Sequence, residues 1–325
     1  MQLLANINIK NIEPSITCKD KILLIGSCFT EHIGNYLAEV KFDVLQNPNG
    51  ILFDPVSVCK SLDAYIQNKQ YTEDGLFYLN ECWHSWQHHS RFSNIDKTRC
   101  IDNINESQKN ASSFLKNADW LIITLGSSFS YRLAKNGEPV ANCHKAAQNI
   151  FIKHLCSIEE TITLFDGIIH KLFQFNNKLK IIFTISPVRH LRDGVIENNR
   201  SKARLIEAVH HLVNKFDKLY YFPAYELVID VLRDYRFYDI DLAHPNYAAT
   251  QYVLEKFSEA CFDTSALNLA EEIKKIIIAK NHKPFNPSSN QHKIFLENNL
   301  VKIKTLQQQY PFLNFENEVK YFSAL

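Results

Sequence analysis

Two short stretches of this chain hold residues whose types and spacing suit acyl transfer. In Ile22-Leu23-Leu24-Ile25-Gly26-Ser27-Cys28-Phe29, a serine and a cysteine follow a glycine at the end of an apolar run. In Asp241-Leu242-Ala243-His244, a carboxylate stands three residues before an imidazole. A carboxylate beside a histidine holds its tautomer and stabilises the imidazolium, and the histidine then serves as general base to a serine. Ser27 would be the nucleophile; the plainer alternative is that it only caps a helix. Cys28 is a rival, since a thiol is the stronger nucleophile at neutral pH, but a buried, inert thiol is the favoured reading. Acyl transfer also needs donors for the developing oxyanion. The backbone amides after Gly26 and around Asn49-Gly50 are candidates, because both follow strand ends.

Other groups offer different chemistry. Cys82, His84, His88 and His89, with Cys143 and His144, are zinc-ligand types. Their spacing fits no standard zinc motif, and Trp83 and Trp86 point to an aromatic cleft wall, so neither a metal nor another cofactor is expected. A metal-dependent enzyme using the 82–89 segment stays as an alternative. Arg189 stands at a strand end, where it either binds an acidic substrate or pairs with a carboxylate; pairing is favoured.

Elements of the right kind exist to position these residues. Apolar runs at 22–25, 42–45, 120–125, 180–185 and 219–222 read as strands, and those at 120–125 and 180–185 suit burial on both faces. Helical periodicity fills most of the intervals, at 30–40, 55–66, 105–117, 158–175 and 201–216, and continues at 224–235 and 245–260. Strands alternating with helices imply a parallel sheet with right-handed crossovers. Ligands bind such sheets beyond the carboxyl ends of the strands, where Ser27 and the 241–244 loop both fall. Two hairpins interrupt the alternation. One is read around Asp74-Gly75. The other joins 130–134 to 138–142 through Asn136-Gly137 as a two-residue type I′ loop. That register sets Cys143 opposite Ser130 and His144 opposite Phe129, bringing Asn142-Cys143-His144-Lys145 back towards Gly126 and the cleft. From Phe262 the pattern changes to helices alone, near 265–281 and 289–309. The expected organisation is a catalytic domain over 1–261 and a helical extension over 262–325 packed on it.

Composition narrows the class. Among 325 residues 46% are hydrophobic, which argues against disorder, and the net charge is +1. So even a balance gives no reason to expect nucleic acid or an anionic membrane as partner. No apolar run approaches the ~20 residues of a membrane span. The N-terminus lacks a secretory pattern, and eight scattered cysteines without a CxxC pair suit reduced thiols in a bacterial-type cytoplasm. Oligomeric state is not legible.

At Gly26-Ser27-Cys28-Phe29 the chain resembles the GSCFA-domain family, a bacterial group in the SGNH/GDSL hydrolase superfamily. The resemblance extends to NPNGILFDP (47–55), TLGSSFSYR (124–132), ANCHK (141–145), SPVRHLRDG (186–194), ENNRSKA (197–203), LRDYRFYDIDLAHP (232–245) and HKPFNPSS (282–289). It implies a three-layer α/β/α sandwich with a five-stranded parallel sheet of flavodoxin-like type. It implies Ser27 as nucleophile, Gly50 as the glycine of the second block, and Asp241 and His244 as the acid and base. The superfamily's Gly-x-Asn-Asp block supplies an oxyanion-binding asparagine. Here Gly126-Ser127-Ser128-Phe129 has none, which leaves that role to Asn49, Ser127 or Asn142, in that order. His144 and Arg189 are expected to bind substrate. The implied activity is a serine hydrolase acting on a small-molecule or glycan ester, O-acylated carbohydrate above all. An acyltransferase or a non-catalytic glycan-binding protein on the same fold is the alternative.

Overall fold

The computed structural model describes residues 5–323. Its centre is a five-stranded, all-parallel sheet. The strands are β1 (Lys21–Gly26), β2 (Asp43–Gln46), β3 (Trp120–Leu125), β4 (Lys180–Ile185) and β5 (Leu219–Phe222), in spatial order β2-β1-β3-β4-β5. All of β3 is buried, as a central parallel strand must be when helices cover both faces.

Alternate residues of each strand feed two separate cores. Ile22, Leu24, Trp120, Ile122 and Ile182 pack with α1 (Cys28–Glu39) and α6 (Tyr247–Cys261). Leu23, Ile25, Leu121, Ile123, Phe183 and Ile185 pack on the other face with α2 (Pro55–Gln67), α3 (Lys97–Asn117), α4 (Ile158–Phe175) and α5 (Gly194–Lys215). Truncating one of these central side chains, such as Ile123, to alanine costs about 2–5 kcal/mol. The strand order reverses between β1 and β3, so the crevice at their carboxyl ends is the switch point where such folds bind ligands.

Three small features differ from the sequence reading. The first hairpin joins Leu76–Leu79 to Cys82–Ser85 and turns at Asn80-Glu81, both with positive φ; Glu73–Gly75 is only a helical turn before it. In the second, Tyr131 pairs with Val140 and Arg132 with Pro139, so the loop has four residues rather than two. The cause is a further strand, Phe151–Leu155, that the sequence reading left out. It pairs along Phe129–Leu133 and draws the Ala134 amide to the Ile150 carbonyl. Ser130 therefore faces His154, and Phe129 faces Leu155, in place of Cys143 and His144.

Beyond α6 lie α7 (Thr264–Asn281), α8 (Asn290–Gln309) and the short α9 (Glu316–Phe322), which the sequence reading did not anticipate. They share an apolar cluster of Ile273, Ile276, Leu296, Ile303, Phe315 and Phe322. They meet the α/β body where Glu318 pairs with Lys41 at 3.0 Å and where Ala266 and Ala270 join the α1–α6 core. Among the described residues no helix is long and apolar enough to cross a membrane.

Candidate active site

The site begins with backbone geometry. Gly26 ends β1 at φ +150°, and a Cβ there would lie 2.2 Å from the Thr124 carbonyl oxygen, so β1 and β3 approach this closely only because the residue is glycine. Its amide donates to Asn47 Oδ1 at 2.9 Å. Ser27 follows at 2% exposure, with its amide donating to Thr124 O. Its Oγ accepts the Phe29 amide at 3.3 Å, so it caps α1. The helix-cap reading of Ser27 therefore holds. The cap aims the serine across the strand ends. Beside it, burial pushes the Cys28 thiol above its ordinary pKa, which keeps it protonated at neutral pH and argues against a thiolate nucleophile.

Asp241 and His244 meet directly. His244 Nδ1 lies 2.6 Å from Asp241 Oδ2, which leaves Nε2 facing away. The His244 and Ala243 amides donate to Asp241 Oδ1, and with the His244 ring they hold the carboxyl at about 2. Leu242 between them takes φ +57°, the tight bend that lets a carboxylate reach a histidine three residues on. His244 makes no hydrogen bond to Ser27, and its side chain is 48% exposed. Burial lowers the pKa of two other imidazoles, His32 on the helix that Ser27 caps and His190, and His244 adds a smaller contribution to each.

His190 is the residue the sequence reading overlooked. A point one bond out from Gly126 Cα lies 2.9 Å from Phe53 Cβ, 3.1 Å from His190 Nε2 and 3.3 Å from Ser27 Cβ, so the imidazole and the serine border the same space over the glycine. The Phe53 ring packs on the same imidazole at 5.2 Å. The segment carrying it, Ser186–His190, is pinned along its length. Lys202 Nζ donates to Ser186 O at 2.5 Å, the Val188 amide to Ser186 Oγ, the Arg189 amide to Ala243 O, and the His190 amide to Asn198 Oδ1. Asn198, Ser201 and Lys202 lie on one face of α5, which continues as Leu205, Ala208, Val209 and Leu212 in the core. Polar residues at the first turns of an otherwise apolar stripe were the available signal. Lys202 is 1% exposed, and burial lowers its amine to about 7.

The remaining sequence candidates are engaged elsewhere. The Gly50 amide donates to Asn47 O, and its glycine is required because a Cβ would fall 2.1 Å from His89 Cβ. Asn49 Nδ2 donates to Ser61 Oγ. Ser127 Oγ contacts Ser201 Oγ at 3.1 Å and accepts the Phe129 amide. Asn142 Oδ1 accepts the His144 amide. His144 Nε2 donates to the Ser85 carbonyl at 2.8 Å, and the ring packs among Phe77, His84 and Trp86. Arg189 forms no ion pair among the described residues, contrary to the favoured reading. Its guanidinium stacks on Tyr238 at 4.2 Å and donates to the Leu242 carbonyl, bracing the loop of His244.

The histidine-rich segment is not arranged as a metal centre. The two His84 nitrogens lie against Ser93 Oγ and the Leu79 carbonyl, and His88 Nδ1 against Ser85 Oγ. The one group of potential ligand atoms close together among the described residues is His154, Cys156 and Glu160, remote in sequence from that segment.

The profile of the GSCFA family matches residues 21–257, and that of the GSCFA domain protein, C-terminal domain, matches 273–325. No curated protein matches the chain. Among solved structures, a carbohydrate esterase family 3 from Talaromyces cellulolyticus is similar at 9% identity and TM-score 0.36, covering 79% of this chain and 99% of its own. An acetyl xylan esterase from the rumen bacterium Butyrivibrio proteoclasticus is similar at 11% identity and TM-score 0.37, covering 78% of this chain and 64% of its own.

Proposed function

This chain belongs to the GSCFA family, and from that premise we propose that it is a serine-dependent acyl-ester hydrolase using Ser27, His244 and Asp241. The observation that carries the reading is the 2.6 Å Asp241–His244 contact, on a loop tied through Arg189 to the segment whose His190 borders the same space as Ser27. With Nδ1 held by the carboxylate, His244 has Nε2 free for the serine proton. The Ser27 Oγ–C bond forms as that proton passes to His244 and the carbonyl π pair moves onto oxygen. Collapse breaks the ester C–O bond, and the alcohol leaves with the proton from His244. Water then attacks the acyl-enzyme in the same way, releasing the acid and restoring Ser27.

The base stands half exposed, which leaves room for an ester on a bulky, hydroxyl-rich carrier. Carbohydrate O-acyl esters are therefore the first substrates to assay, in keeping with the SGNH-type resemblance. Residues 1–261 would carry this activity, and 262–325 would brace them. The engaged side chains at Asn49 and Ser127 favour a second reading, in which weak hydrolysis gives way to acyl transfer or to binding alone. A panel of acyl esters with and without sugar acceptors separates the two. Hydrolysis that Ser27→Ala abolishes supports the proposal, and acylated acceptor without free acid supports transfer. Retention of turnover by Ser27→Ala with loss in Cys28→Ala moves the nucleophile to the thiol.

A further inference from the structure

We propose that His190 is a catalytic residue that donates its Nε2–H to the oxyanion formed when Ser27 attacks an acyl ester. The inference rests on the serine-hydrolase reading above and adds a residue to it. Oxyanion stabilisation needs a donor aimed, before the reaction, at the place where negative charge will develop. Of the side chains that sequence alone nominates for this, Ser127 Oγ is bonded to Ser201 and Asn49 Nδ2 donates to Ser61, while Asn142 accepts the His144 amide through Oδ1. His190 Nε2 instead borders the space over Gly126 that Ser27 Cβ also borders, with Phe53 Cβ as the third neighbour.

The residue is held as such a donor must be. Phe53 packs on one side of the ring, and the His190 and Arg189 amides are fixed by Asn198 and by Ala243. The buried Lys202 ties down the start of the same segment at Ser186. Little reorganisation is left to occur during the reaction, the condition under which a hydrogen bond contributes most to catalysis.

The two imidazoles near Ser27 have different environments, and these assign their roles. His244 has a carboxylate on Nδ1, which stabilises the cation a general base becomes. His190 has no carboxylate partner among its hydrogen bonds. Burial, with the Lys202 ammonium and His244 adding to it, lowers its pKa to about 4. It is thus a neutral imidazole at working pH, a poor base and a competent N–H donor. In the tetrahedral step the electron pair that reaches the carbonyl oxygen is met by this N–H, and the proton stays on His190 throughout.

The test compares His190→Ala and His190→Gln with the parent, using 4-nitrophenyl acetate turnover and labelling by a fluorophosphonate probe. Loss of one oxyanion donor should lower kcat by about 10²–10³-fold with little change in KM. Glutamine, whose amide N–H reaches towards the same place, should restore at least about tenfold of it. Equal kcat in parent and His190→Ala overturns the inference while probe labelling of Ser27 leaves the hydrolase reading standing. Loss of the acid limb of the pH profile in His190→Gln overturns it too, because His190 would then be the base. A parent that neither turns over ester nor takes the probe overturns both readings.

Discussion

Ser27 is 2% exposed and fixed between a glycine, a neighbouring strand and a helix, whereas the His244 side chain is 48% exposed and rests on a single carboxylate. The nucleophile side belongs to the sheet. Gly26 packs on Thr124, the Ser27 amide is bonded across to β3, and the α5 face of Asn198, Ser201 and Lys202 holds the neighbouring strand ends. The base side belongs to a loop, whose ties to the body include the Ala243 carbonyl and the guanidinium of Arg189. The difference teaches a division of labour. Under the proposed mechanism the part that must not move is built into the α/β core, and the proposed base sits where it can approach a substrate. His244 does not touch Ser27 in the structure, and substrate-free sites commonly draw such contacts tight only once substrate is bound.

The comparison breaks first at the reacting atoms. Ser27→Ala and His244→Ala should each lower kcat/KM by more than about 10⁴-fold, and the double variant should be little worse than either single, because the two act as a unit. Additive losses in steady-state ester kinetics would show that they work separately.

Asp241→Asn comes next. It keeps the shape of the loop but removes the charge behind His244, and a loss of about 10²–10⁴-fold is expected with an unchanged circular dichroism spectrum. The pH profile sharpens this. Asp241, held at about 2, stays ionised through the whole working range, and His190, at about 4, stays neutral over most of it. The acid limb of kcat/KM should therefore come from neither of these groups, and it should shift in Asp241→Asn if that carboxylate acts on the base. A limb that does not move would separate the carboxylate from the base.

Lys202→Met tests the rigid side. It removes the donor to Ser186 O and leaves that carbonyl buried without it, at a cost of about 1–3 kcal/mol. Melting temperature should fall, and kcat should drop about tenfold as the segment carrying His190 loosens. An unchanged kcat would mean the pin serves stability alone. The smallest effect on activity is expected from ending the chain after Cys261. That cut removes the Lys41–Glu318 pair and uncovers the α1–α6 core at Ala266 and Ala270. Stability or solubility should fall, while kcat measured in the cold stays near the parent's. Unchanged melting would show that the last three helices brace nothing.

The sequence shows how far each side can be read without coordinates. All five sheet strands were legible; a run such as Trp120–Leu125 is apolar but for Thr124, as a doubly covered strand requires. Gly26-Ser27 and Asp241-x-x-His244 were legible because local spacing makes each of them. Hairpin register was not, since it was set by Phe151–Leu155, a strand whose partners are distant in sequence. The fates of Ser127 and Asn49 were hidden for the same reason: Ser201 and Ser61 come from other helices. His190 lies in the SPVRHLRDG stretch but was not singled out, because its nearness to Ser27 over Gly126 is a property of packing.

The most direct test of the serine-nucleophile claim is to treat the intact chain with a fluorophosphonate probe and map the modified peptide by mass spectrometry. The account predicts a single adduct on Ser27, absent from Ser27→Ala, slowed in His244→Ala and unaffected by Cys28→Ala. An adduct on any other residue, or none on a folded chain that hydrolyses acyl esters, would contradict it.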